Sequence, residues 1–183
     1  MNNRMEIVKF LLSHKDIDIN AATDQGWTAL FTAAFTGRTE FIDLFRKFKG
    51  INVNIKTKNG WSALFAATYE SKKECVHALL GFDDIDVNAT TKEGVFFLFV
   101  YLTPLFRACD NGEYDIVCML LKKDGIRVNV QNEKGETPLY IAALKGYEEI
   151  VVMLLSFPGI DVNAREFSNG VFFVLIRQHF MLQ

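Results

Sequence analysis

Histidines, cysteines and clustered carboxylates are the side chains here that could carry chemistry, and their spacing leaves them little to do. His14, His77 and His179 lie far apart. A histidine base needs a nucleophile within hydrogen-bond reach and a carboxylate to orient it. No such constellation forms around any of the three, and His77 reads as a helix-surface residue. Cys75, Cys109 and Cys118 contain no Cys-x-x-Cys pair, so they read as free thiols in a reducing compartment. The run Asp83-Asp84-Ile85-Asp86 lacks the ligand spacing of a calcium loop and reads as a solvated turn. Neither a glycine-rich phosphate loop nor a His-Glu-x-x-His helix is present. The expectation is therefore no catalytic residue, no metal site and no cofactor. Binding remains.

Five asparagines set the frame for the elements. Asn20, Asn54, Asn88, Asn129 and Asn163 are separated by 34, 34, 41 and 34 residues, and each closes an Ile/Val-x-Val/Ile-Asn stretch. Six or seven residues later comes a glycine: Gly26, Gly60, Gly94, Gly135 and Gly170. A fixed period in this range means stacked supersecondary units rather than one globular core.

Aligned on the glycines, four units share one plan. A hydroxyl residue, proline or alanine, leucine and an aromatic follow in order: Thr28-Ala29-Leu30-Phe31, Ser62-Ala63-Leu64-Phe65, Thr103-Pro104-Leu105-Phe106 and Thr137-Pro138-Leu139-Tyr140. The hydroxyl suits a helix N-cap and the proline suits the first helical position. Small residues follow (Ala33-Ala34, Ala67-Thr68, Ala108-Cys109, Ala142-Ala143) and permit close approach of neighbouring helices. Gly37, Gly112 and Gly146 end the helix, with Ser71 in the same place in the second unit. A second helix then carries an apolar stripe at helical spacing, as in Ile116, Val117, Leu120 and Leu121. One unit cannot cover its own apolar faces, so neighbours must stack.

The Gly-x-Thr-Pro-Leu-aromatic-x-Ala-Ala-x-x-Gly helix, the Ile-Val-x-x-Leu-Leu helix and the Asn-terminated turn resemble ankyrin repeats over residues 4 to about 170. The resemblance implies an all-α solenoid of stacked helix-turn-helix repeats with tight β-turn connections. It sets units at 21–54, 55–88, 89–129 and 130–163. A partial unit of second helix and turn occupies 1–20, and a fifth unit starts at 164–183 before giving way to an apolar tail. Both ends thus read as a piece cut from a longer array. The family usually places histidine after the leucine; here Phe31, Phe65, Phe106 and Tyr140 stand there and are expected to pack instead.

The 41-residue spacing arises from seven extra residues, Val95–Tyr101. The tail departs at the homologous point: Gly170-Val171-Phe172-Phe173-Val174 echoes Gly94-Val95-Phe96-Phe97-Leu98. Three readings stay open: translated intron starts, an apolar surface loop, or a hydrophobic contact on the binding face. The longest apolar run, Val95–Leu102, is eight residues, whereas a bilayer span needs roughly 20. No membrane tether is expected. The opening residues mix acids and bases into their apolar pattern and make no signal peptide. A soluble, cytoplasmic protein is expected.

Charge narrows the partner class. The net charge of −2 comes from interleaved acids and bases, without the basic stripe that nucleic acid requires. A protein partner is expected, with no small-molecule substrate. Partners of ankyrin-like stacks contact the turn tips and the exposed face of the first helices. By position, the tips carry Gln25, Trp27, Asn59 and Trp61; the helix face carries Phe35, Ala66, Tyr69, Glu70, Arg107, Asp110, Asn111, Ile141 and Lys145. Trp27 and Trp61 share a tip position, as Phe35 and Tyr69 share a helix position. Together they are expected to form one aromatic patch across two units, the kind of cluster that anchors interfaces. The function so read is a non-catalytic protein-interaction scaffold. The alternatives are the targeting arm of a larger multidomain enzyme and a non-functional fragment.

Overall fold

The computed structural model describes residues 2–91, 93–95, 98–100 and 102–163. In chain order these form α1 (Asn2–Leu12), α2 (Ala29–Phe35), α3 (Thr39–Phe45), α4 (Ala63–Tyr69), α5 (Lys73–Leu80), β1 (Glu93–Val95), β2 (Leu98–Val100), α6 (Pro104–Asn111), α7 (Tyr114–Leu121), α8 (Pro138–Leu144) and α9 (Glu148–Leu155). The fifth-unit start and the tail of the sequence lie outside the described residues.

Each short inner helix starts where the hydroxyl residue stands. The side chains of Thr28, Ser62, Thr103 and Thr137 accept the N–H of Phe31, Phe65, Phe106 and Tyr140 at 3.1–3.2 Å. One orphan amide per helix is thereby satisfied. Pro104 and Pro138 sit in the first turn, where the missing N–H has no partner to lose. The inner helices end on left-handed residues: Gly37, Gly112 and Gly146 have φ of 73–74°, and Ser71 has φ 53°. A serine there carries a Cβ into a region that favours glycine.

Small residues let the units close up. Ala34, Ala67, Cys109 and Ala142 are fully buried where α2 meets α4, α4 meets α6 and α6 meets α8. The outer helices repeat the contact as α3–α5–α7–α9, burying Ile42, Val76, Leu79, Ile116, Leu120, Ile150 and Leu154. One continuous core results, running the length of the stack. Phe65, Phe106 and Tyr140 belong to it, and Phe31 is buried as well. Among the described residues no helix is long and apolar enough to cross a membrane.

The framing asparagines join one unit to the next. Asn20 Nδ2 donates to Gly50 O at 2.7 Å, and its Oδ1 accepts Asn52 N–H at 2.8 Å. Asn54 does the same with Asp84 O and Asp86 N, and Asn129 with Gly159 O and Asp161 N. Asn88 bridges to Gly125 O and Arg127 N at 2.9 and 2.8 Å, across the inserted residues. Asp18, Asn52, Asp86 and Asp161 hold the N–H of the asparagine two residues on, at 2.9–3.0 Å. Asp86 thus has a structural role that the solvated-turn expectation missed.

The described residues of the insertion lie in a short antiparallel ribbon. In an ordinary unit the fingertip is a short hairpin neck: Thr23 N–H donates to Trp27 O, Thr57 to Trp61 and Asn132 to Glu136, each at 3.0 Å. Three residues lie between. In the third unit Thr91 N–H donates to Leu102 O at 3.0 Å, and the pairing continues outward as Glu93↔Val100, Gly94↔Phe99 and Val95↔Leu98. These described pairs share the register of the neck that the other units also have. The strand pairing suits an insert rich in valine and phenylalanine, which favour a pleated ribbon.

Replacing Ser71 by glycine removes the left-handed Cβ and should raise stability by about 1 kcal/mol, or about 2–4 °C in Tm for a chain of this size. Gly112→Ala should do the opposite, since its Cβ would stand 2.6 Å from the Tyr147 ring at φ 74°. Thermal unfolding by circular dichroism checks both, and equal Tm values for the two variants contradict this reading.

Candidate functional site

Two aromatic columns stand on the inner-helix side. Trp27 closes the first fingertip neck, its N–H bound to Thr23 Oγ1 at 3.2 Å. Its ring lies 5.1 Å from Phe31 and 5.6 Å from Phe35, and Phe31 stacks on Phe35 at 6.2 Å with an 11° interplanar angle. The second unit repeats the design: Trp61 lies 5.1 Å from Phe65 and 4.7 Å from Tyr69, with Phe65–Tyr69 at 6.3 Å. Phe31 and Phe35, like Phe65 and Tyr69, lie four apart on one helix face, and each tryptophan, one residue before the helix N-cap, lies against both rings of its unit. The middle ring of each is buried as an anchor, while Trp27 and Tyr69 are each 40% exposed.

The sequence reading expects one patch spanning both units. Among the described residues the ring contacts run within each unit, one column per unit. Phe35 and Trp61 are half-buried. Trp61 Nε1 is buried and has no hydrogen-bond partner among the described residues. Each aromatic pair contributes about 0.5–1.5 kcal/mol beyond its buried area, so the columns are stiff.

A polar chain extends the second column across the next two units. The Arg107 guanidinium lies 4.9 Å from the centroid of the Tyr69 ring and pairs through Nη1 with Asp110 Oδ2 at 2.8 Å. Lys145 Nζ reaches the other oxygen of Asp110 at 2.5 Å and its backbone carbonyl at 2.7 Å. Asn111 Nδ2 donates to Tyr69 O at 3.3 Å. The Arg107 and Asp110 side chains are only 16% and 21% exposed, so solvent screens this pair less than an ordinary surface pair. Asp110 and Lys145 fall on the face assigned from sequence. Their role as a bridge was legible only once the helices were in register.

The remaining expected residues lie at the fingertips and at a helix end. Gln25 is exposed, and its carbonyl accepts Lys58 N–H at 3.0 Å, joining the first two fingertips. Gly26 makes that approach possible, since a Cβ there would stand 2.9 Å from Thr57 Cα. Asn59 is exposed at the second tip, and Glu70 is half-buried at the end of α4. Two residues assigned to the open face are not on it. Ala66 is fully buried and Ile141 is 7% exposed, because the inner helices pack too closely there to leave either side chain open.

The groups with intrinsic reactivity are dispersed. His14 and His77 are exposed on separate elements, and His179 lies outside the described residues. Cys75 is buried with Sγ 3.3 Å from Thr39 Oγ1, and burial pushes its thiol pKa up. Burial pushes the Cys109 thiol up further still, while Cys118 is half-buried. On the outer helices Lys73 bonds Asp115 across units at 2.5 Å, and that hydrogen bond raises the lysine pKa.

A family model described as "Ankyrin repeats (3 copies)" matches residues 1–91 and 93–166. No curated protein matches the chain.

Two outcomes follow from this geometry. Arg107→Ala should lower stability by about 1 kcal/mol, through loss of the ring contact and of one partner of a part-buried pair, as read by urea unfolding. Brief thiol alkylation of the native protein at pH 8, followed by peptide mass spectrometry, should label Cys118 before Cys75 and Cys109. The thiolate is the nucleophile, and burial suppresses it at the other two.

Proposed function

Because this chain belongs to the ankyrin-repeat family, whose members generally serve protein–protein interaction, we propose that it is a non-catalytic scaffold gripping a partner protein through its fingertips and inner-helix face. The observation that carries this reading is the pair of aromatic columns, Trp27–Phe31–Phe35 and Trp61–Phe65–Tyr69. Rigid aromatics that are exposed at one end and anchored at the other lose little side-chain entropy on binding. Trp27, Phe35, Trp61 and Tyr69 are the anchors in this reading. Gln25, Asn59, Glu70, Arg107 and Asn111 form the polar rim that fixes orientation.

Several features favour a protein over other ligands. Interleaved charges offer no continuous basic stripe for a phosphate backbone. The Asp110 carboxylate sits between Arg107 and Lys145 and offsets their charge at the centre of the face. An interface of standard size, on the order of 800 Å² per partner, would reach from the first fingertip to Lys145.

The Trp27→Ala/Trp61→Ala double variant should lose partner capture by about a hundredfold while keeping its helical circular dichroism signal. Two hot-spot aromatics at roughly 2 kcal/mol each, taken as less than additive, give that figure. Titration against a partner recovered by affinity capture with the wild-type chain makes the test. Undiminished affinity in the folded double variant removes this reading.

A further inference from the structure

The ribbon of the third fingertip leaves one strand edge with the same chemistry on every copy of the chain. Thr91 N–H bonds Leu102 O, so the alternation of an antiparallel ladder makes 93↔100 and 95↔98 the bonded pairs. The peptide groups of Gly94 and Phe99 then point outward, away from the partner strand. Among the described residues the sheet has only β1 and β2, and neither outer edge is paired with a further strand.

The two edges differ. β1 carries Glu93, whereas β2 is Leu98-Phe99-Val100, without charge, proline or bulge. Natural edge strands are usually blunted by one of those devices, and β2 has none. A two-stranded ribbon alone is also marginal in water, whereas a sheet of three or more strands is not.

We propose that β2 pairs antiparallel with β2 of a second copy, about a two-fold axis through Phe99. The pairing sets Leu98 opposite Val100 of the other copy and Phe99 opposite its own equivalent. Phe99 N–H and C=O of each copy meet C=O and N–H of the other, which joins two ribbons into a four-stranded sheet. The strand suits itself because a two-fold presents the same donor and acceptor from both sides, and no charge on β2 opposes it. Asn88 keeps its bridge across the insert, so the stack beneath need not change for the ribbons to meet.

The test is Phe99→Pro. Proline deletes the one N–H that the two-fold requires, and in the ribbon that N–H makes no ladder bond, so the hairpin itself is spared. Sedimentation velocity on the wild-type chain should show a species of twice 20.8 kDa whose population rises with concentration. Phe99→Pro should raise the dissociation constant on the order of tenfold or more with an unchanged circular dichroism spectrum. Should that variant fail to fold, Phe99→Lys makes the same break by placing two like charges across the axis. A wild-type chain that stays monomeric overturns the proposal. So does an oligomer that persists in either folded variant.

Discussion

The carboxamide of an asparagine has a donor and an acceptor about as far apart as those of a peptide group, and the whole stack depends on that fact. Each framing asparagine gives its N–H to a carbonyl of the next unit and takes an N–H two residues further on. An aspartate lacks the donor, and a glutamine would reach too far. The bridges fix both the height and the rotation of one unit on the next. Once the turns are locked, the same positions of successive inner helices come into line, and side chains far apart in sequence become neighbours.

Fixed register is what gives the inner-helix face its form. Tyr69 and Arg107 are neighbours because α4 and α6 are held one step apart, and Arg107, Asp110 and Lys145 join for the same reason. The fingertips follow the same rule, with Lys58 bonded to Gln25 where Gly26 permits close approach. The third fingertip extends outward by adding ladder pairs. Its neck keeps the register shared by the others, so seven extra residues leave the asparagine bridge intact.

Much of this was readable beforehand. The hydroxyl caps, the proline at the first turn and the terminal glycines are local signals, and local physics decides them. Ser71 shows the strength of the plan: the backbone stays left-handed there even without glycine. The insertion was harder: its run of valine, phenylalanine and leucine left an intron start, an apolar loop and a hydrophobic contact open, and the strand pairing shows only once the neck supplies a register. Ala66 and Ile141 were placed on the open face by position alone. Their burial depends on the closeness of helix approach, a tertiary quantity that no spacing records. The two aromatic columns were half legible: the shared positions of the tryptophans and of Phe35 and Tyr69 were in the sequence, whereas the ring contacts within each unit depend on how each tryptophan lies against its helix.

Hydrogen exchange at the bridged amides tests the central claim most directly. Asn52, Asp86, Arg127 and Asp161 are exposed residues whose N–H groups are held only by the asparagine of the preceding unit. Those four amides should exchange slowly in the wild-type chain, despite their exposure. In Asn88→Ala the Arg127 amide should lose its protection, while Asn52, two units away, keeps its own. Exchange of all four at the rate of an unfolded peptide in the native wild-type protein would contradict the account.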